Sequence, residues 1–192
     1  MRRVAVVVLL LILSSSCGVI VRAPEEMATP SEDEYLVYST LIEQMAGNAE
    51  LIVIRDSTRL DFVDDISEAV EQIRKSTLGA GEDVLADFRV KAAHPLRFEN
   101  RFSSTGTIVL MSQGEFDSIF TDRGAWDEFY ERYPKSNGIM TFSGVGFNSQ
   151  LDEALVYIGI QSNFKDGAGY YVFLEKLRYG WTVGETTMAW VF

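Results

Sequence analysis

Cysteine and histidine are almost missing from this 192-residue chain, which holds one of each, Cys17 and His94. A lone cysteine forms no internal disulfide and no Cys-Xaa-Xaa-Cys redox pair. One Cys and one His cannot supply the ligand set of an ordinary zinc site, so neither a metal nor another cofactor is expected. A catalytic histidine needs an orienting carboxylate and a nucleophile or substrate nearby. His94 instead precedes Pro95 at an expected helix end, with no nucleophile-elbow sequence in the chain. Positive charge is the second deficit. Lys and Arg number 17 against 28 Asp and Glu, a formal charge of −11. Nucleic-acid partners require a basic footprint, so none is expected; acidity of this kind mostly serves solubility. Long apolar runs are also lacking. Residues 4–13 form an uninterrupted apolar stretch, short of the ~20 residues that span a bilayer. There is no internal repeat and no low-complexity segment.

What the N-terminus does contain is the order of parts of a secretory signal. Arg2 and Arg3 give a positive start, residues 4–13 the apolar segment, and Ser14, Ser15 and Ser16 a small-residue end. Cys17 follows at once, as in the signals of bacterial lipoproteins, where that cysteine becomes the lipidated first residue. The chain is therefore expected to be exported to the cell envelope and anchored to a membrane through lipid on Cys17. Ser14 departs from that pattern, which places Leu or a similar residue three before the cysteine. It keeps open ordinary secretory cleavage beside an incidental Cys17. The reading divides the chain into residues 1–16 as signal peptide, 17–33 as a flexible tether, and 34–192 as a single α+β domain. The tether carries Pro24, Glu25, Glu26 and Pro30 without sustained periodicity.

The last third organises the domain. Residues 139–147, 154–162, 170–178 and 181–192 are four runs rich in Val, Ile, Tyr, Phe, Trp and Thr, which suit a pleated, half-buried surface. The links between them are too short for a parallel crossover, so they predict a four-stranded antiparallel meander. In the third run Tyr171 and Phe173 alternate with Tyr170, Val172 and Leu174; being apolar on both sides, it should be a central strand covered on both faces. Strict alternation in the last run puts Trp181, Val183, Ala189 and Val191 on one face and Thr182, Thr186, Met188 and Trp190 on the other.

Upstream, Ser31 and Glu34 form a capping-box pattern ahead of Tyr35, Tyr38, Leu41, Ile42 and Met45 at helical spacing, with Gly47-Asn48 as the stop. Residues 51–55 and 107–111 read as short strands. Val63, Ile66, Val70 and Ile73 mark a second helix, and Leu85, Phe88 and Ala92 a third, stopped before Pro95. Ser112 and Glu115 start a short fourth helix. A fifth carries Trp126, Phe129, Tyr130 and Tyr133 up to Pro134. The fold expected is α+β, an antiparallel sheet with a C-terminal four-stranded meander, covered by N-terminal and mid-chain helices.

From Trp126 onward particular residues carry a resemblance. They are Trp126-Asp127-Glu128-Phe129-Tyr130, Tyr133-Pro134-Lys135-Ser136-Asn137-Gly138, Phe142-Ser143-Gly144-Val145-Gly146-Phe147-Asn148, Ala154-Leu155-Val156-Tyr157, Gly167-Ala168-Gly169-Tyr170-Tyr171-Val172 and the terminal Trp190. Together they resemble a family of uncharacterised bacterial exported proteins, many with lipoprotein-like signals. The resemblance covers about half of the chain and implies no activity. Members usually carry Arg where this chain has Gly144, so a ligand role for that arginine does not transfer.

Candidate chemistry is sparse. Asp61, Asp64 and Asp65 sit at the start of the second helix, where carboxylates cap free N–H groups and oppose the dipole. Asp152 and Glu153 fall in a turn, without calcium-loop spacing. Gly167-Ala168-Gly169 precedes a strand rather than a helix, which suits a hairpin and not a phosphate loop. Gly146, inside a strand, signals a bulge or a close backbone approach. Trp126, Tyr130, Tyr133, Tyr170, Tyr171, Trp181 and Trp190 belong to the core or line a pocket. The resulting expectation is binding rather than catalysis, with an unknown protein or small molecule as ligand. The alternative is an envelope hydrolase using a pair of carboxylates.

Overall fold

Periodicity of two in the last third and of three to four in the middle becomes one sheet sandwiched by helices. A computed structural model describes residues 27–47, 49–121 and 125–192. Cys17 and the expected signal lie outside the described residues. Helices α1 (Glu32–Met45), α2 (Ile66–Lys75), α3 (Glu82–Ala92), α4 (Gln113–Ile119) and α5 (Ala125–Arg132) accompany seven strands. These are β1 (Leu51–Arg55), β2 (Thr107–Met111), β3 (Ser136–Phe142), β4 (Gly146–Phe147), β5 (Glu153–Asn163), β6 (Asp166–Leu177) and β7 (Gly180–Val191). The strand order is β2-β1-β3-β5-β6-β7, with β4 also paired to β5.

The C-terminal meander forms as the sequence predicts, β3 and β4 with β5, then β5 with β6 and β6 with β7, all antiparallel. The first run is split in two. Ser143–Val145 interrupts it, and Gly146 resumes pairing where α3 lies directly on the strand: a Cβ on Gly146 would stand 2.4 Å from Phe88 N. The upstream strands do not continue the antiparallel pattern. Both β2 and β3 pair with β1 in parallel, which makes the sheet mixed. Their crossovers are long enough for this because each contains helices.

Helix α1 covers one face. Its Ser31 cap is reciprocal, Ser31 Oγ accepting from Glu34 N while Glu34 accepts from Ser31 N at 2.8 Å. Tyr38, Leu41 and Ile42, all fully buried, meet Ile52, Ile54, Phe142, Val156 and Leu174. The opposite face has two separate covers. Val70, Ile73, Leu85 and Phe88 of α2 and α3 sit on Leu155, Tyr157, Tyr171 and Phe173. Ile119, Trp126 and Phe129 of α4 and α5 sit on Val53 and Ile139. The third run is thus covered on both sides, as its composition predicts.

Strict alternation fails in β7. Irregularities in its pairing fall between Val172 and Leu174 and between Gly169 and Tyr170. Thr186 and Met188 therefore stand opposite Val172 and Tyr170, residues of the α1 face, and so share that face with Trp181 and Val183. Ala189 is the extra residue at the second bulge, and it packs with Trp190 on the other side. A bulge adds one residue to one strand and so reverses every later side chain.

Candidate functional site

Between the two helix covers of that second face a strip of sheet stays open. The register places Thr141 beside Gly159 and Ile139 beside Gln161, and together they floor a cleft of about 260 Å³. Its polar wall comes from the end of β1 and the segment after it. Leu51, Val53 and Arg55 alternate with Ile52 and Ile54, so Arg55 emerges on the open face as the strand ends. The carboxyl ends of parallel strands are a common place for ligand sites.

Arg55 is 3% exposed. The ring of Phe116 covers it, 3.9 Å from guanidinium carbon to centroid. Burial, with the neighbouring Arg59 charge second, lowers its pKa to about 10, which leaves it protonated at neutral pH. Nη2 donates to Gln113 Oε1 at 2.5 Å, whereas buried Nε has no partner among the described residues. Arg59 Nη1 donates to the same Gln113 oxygen at 2.7 Å. Arg59 Nε also lies 2.8 Å from Asp61 Oδ1, an ion pair in distance, but its N–H is not aligned for a hydrogen bond. Asp61 Oδ2 accepts from Thr141 Oγ1 at 2.7 Å. The two guanidiniums thus share one neutral acceptor, and the carboxylate contacts Arg59 alone.

The far wall is Trp190. Its Nε1 donates to Tyr157 Oη at 2.8 Å, and that hydroxyl donates to the Asp61 carbonyl at 3.0 Å. Burial raises the Tyr157 hydroxyl well above its ordinary value, so it remains a neutral tie. Two glycines make room for the indole. Gly159 and Gly169 face each other across β5 and β6. A Cβ on Gly169 would fall 2.2 Å from Trp190 Nε1, and one on Gly159 2.7 Å from Tyr157 Oη. At the rim, Phe62 takes a left-handed backbone, φ 58°, a conformation costing a bulky residue roughly 1–3 kcal/mol. Its ring lies on Trp190 and Phe192.

This arrangement corrects several sequence expectations. Asp61 does not cap α2; Asp65 does, accepting from Ser67 N at 2.7 Å. Gly167-Ala168-Gly169 lies within β6 rather than in a hairpin loop, and Gly169 makes space for an indole. Of the aromatics, Trp190 lines the cleft, while Trp126 and Tyr133 are core. Trp181 packs on the α1 face. His94 is exposed, its Nδ1 2.7 Å from Val90 O. Asp152 accepts from Asn148 Nδ2 at 2.6 Å in its turn. Gly144 is packed under α3: a Cβ there would stand 2.8 Å from Lys91 O. Sequence reasoning missed Arg55, Arg59 and Gln113. The available signal was a charged residue closing an otherwise apolar run, on the same face as Val53. Hollows of about 310 and 320 Å³ beside Trp181 gather no buried charge. Comparison of the chain with protein-family models, with curated proteins and with solved structures finds no match.

Proposed function

We infer that the folded body binds a small molecule in this cleft, and that the chain is exported and held at the cell envelope by lipid on Cys17. The observation that carries the binding reading is Arg55. A buried guanidinium with no carboxylate on it is costly unless something else needs it there. The walls suit a compact organic ligand, with Phe116, Ile139 and Trp190 offering apolar surface. A cleft this size holds roughly nine non-hydrogen atoms, taking a water's ~30 Å³ share of liquid as the measure. A hydrolase using a pair of carboxylates fits less well. Asp61 is the one acid lining it among the described residues, and both its oxygens are engaged.

The test is a panel of neutral and charged aromatic fragments of that size, followed through the Trp190 indole N–H resonance. Saturable shifts are expected in the wild type and should vanish in Gln161→Trp, which fills the floor. A panel that leaves the resonance in place, or shifts it equally in the filled variant, overturns the binding reading.

A further inference from the structure

The polar end of the cleft has a definite charge. Among the described residues its lining holds two guanidiniums, Arg55 and Arg59, and a single carboxylate, Asp61. Asp61 is committed to Arg59 and Thr141, and Asp56 and Asp117 act on Arg55 only from a distance, which leaves Arg55 with no carboxylate in contact among the described residues. Of the N–H groups that a guanidinium presents in a fixed fork, one is taken up, by a neutral amide oxygen. Gln113 Oε1 lies between both guanidiniums, at 2.5 and 2.7 Å, where an anionic oxygen would be held more strongly. Apart from these two bonds Gln113 is held by one more, Nε2 donating to Asp117 Oδ1 at 2.7 Å on the exposed turn of α4. Phe116 closes one face of Arg55 against water, so a charge-matched partner there is little screened.

We propose, building on the binding reading above, that the ligand is a monoanionic organic acid, its carboxylate on Arg55 beside Arg59 and its apolar body between Phe116, Ile139 and Trp190. One negative charge balances the lining. The planar fork of Arg55 matches a carboxylate with two parallel N–H···O bonds. A phosphate monoester carries about −1.5 to −2 at neutral pH and so places surplus negative charge next to Asp61. The overall acidity of the chain does not oppose this. Screening confines distant surface charges to about 8–10 Å at ordinary ionic strength, whereas Arg55 is at contact.

The experiment compares benzoate, benzamide and phenyl phosphate on the folded protein. The readouts are the Trp190 indole N–H resonance and the thermal midpoint. Benzoate should bind saturably at millimolar concentration and raise the midpoint. Benzamide, of the same shape without charge, should bind about tenfold or more weakly, the loss expected when a charge-assisted pair becomes a neutral one. Phenyl phosphate should fall below benzoate. Arg55→Met should lose the benzoate response by about tenfold or more. Without ligand it should unfold at an equal or higher denaturant concentration than wild type, because it removes an unmatched buried charge. That pairing of lost binding with unimpaired stability is one a purely structural arginine would not give. Should Arg55→Met fold poorly, Arg55→Lys keeps the charge but not the fork, and is expected to weaken benzoate while leaving benzamide unchanged. Benzamide binding as tightly as benzoate overturns the anion inference and leaves the binding reading standing. Failure of all three probes to move Trp190 overturns the inference, and failure of the wider fragment panel as well overturns the binding reading with it. Tighter binding of phenyl phosphate than benzoate overturns the monoanion assignment.

Discussion

Trp190 occupies its place because two residues have no side chain. Gly169→Ala would drive a methyl into the indole, 2.2 Å from Nε1. A ring cannot slip aside as the end of a lysine can, so overpacking of about 1–3 kcal/mol is expected. Tryptophan fluorescence should shift as the indole loses Tyr157, and fragment binding should fall; an unchanged spectrum would mean the ring has another resting place. Tyrosine hydroxyls give a second residue-scale consequence. Burial pushes those of Tyr133 and Tyr171 up to about 12, against an ordinary value of about 10. Above pH 10 the unfolded chain loses these protons while the native state keeps them. Their stabilising contribution is therefore complete below pH 10 and is lost as pH rises through 12. The denaturant midpoint should decline across that window, and less steeply in Tyr171→Phe. An equal slope in wild type and variant would show that Tyr171 ionises alike in both states. Neither glycine pairing nor hydroxyl burial is written in local sequence, because both depend on strands far apart in the chain.

At the scale of elements the sequence is a good guide where periodicity is strong. The start of α1 is set by its capping box, and β1 and β2 span the predicted residues. Helix α5 presents Trp126 and Phe129 to the core, with Tyr133 buried just past its end and Tyr130 at the margin donating to Ser162 O at 2.9 Å. Phe129 is fully buried among Trp126, Tyr133 and Ile139. Phe129→Ala should therefore cost about 3–5 kcal/mol, read as a lowered denaturant midpoint; an unaltered midpoint would make α5 peripheral. The second capping signal is only half used. Ser112 Oγ accepts from Glu115 N, but the Glu115 carboxylate accepts from Tyr133 Oη at 2.5 Å instead of returning to Ser112. Strand β7 shows the limit of periodicity. Its two bulges are set by how β6 fits beside it, and no alternation rule anticipates them.

For the whole molecule, the two helix covers leave a gap, and the cleft is that gap. Helices α2 and α3 take the β5–β6 end of the face and α4 with α5 the β1–β3 end. The chain between α3 and β2 crosses to the other face, where Phe98 and Phe102 join Tyr35 and Tyr38. No helix among the described residues is long and apolar enough to cross a membrane. The attachment proposed above is through lipid on Cys17. A buried methylene contributes about 0.8 kcal/mol, and one chain holds a protein only reversibly, so stable anchoring takes more than one. The full-length chain, expressed in a bacterium fed labelled fatty acid, should carry label and sediment with membranes, and Cys17→Ser should do neither. Unlabelled, soluble wild-type protein would make Cys17 an incidental residue beside a cleavage site.

Local patterns by themselves determined the α+β class, the C-terminal meander, the buried third strand and the helix faces. Each follows from interactions within a few residues, or from the burial that an apolar period demands. They also ruled out a Cys-based metal cage and an internal disulfide. Tertiary structure alone decided that β1 and β2 join in parallel, that bulges turn Trp190 away from Met188, and that Asp61 meets Thr141 rather than capping a helix. It also brought Arg55 and Arg59 onto one oxygen of Gln113, a residue more than fifty positions away. Strand order and pairing register set these meetings. They are properties of segments distant in sequence, and a single chain read in order does not contain them.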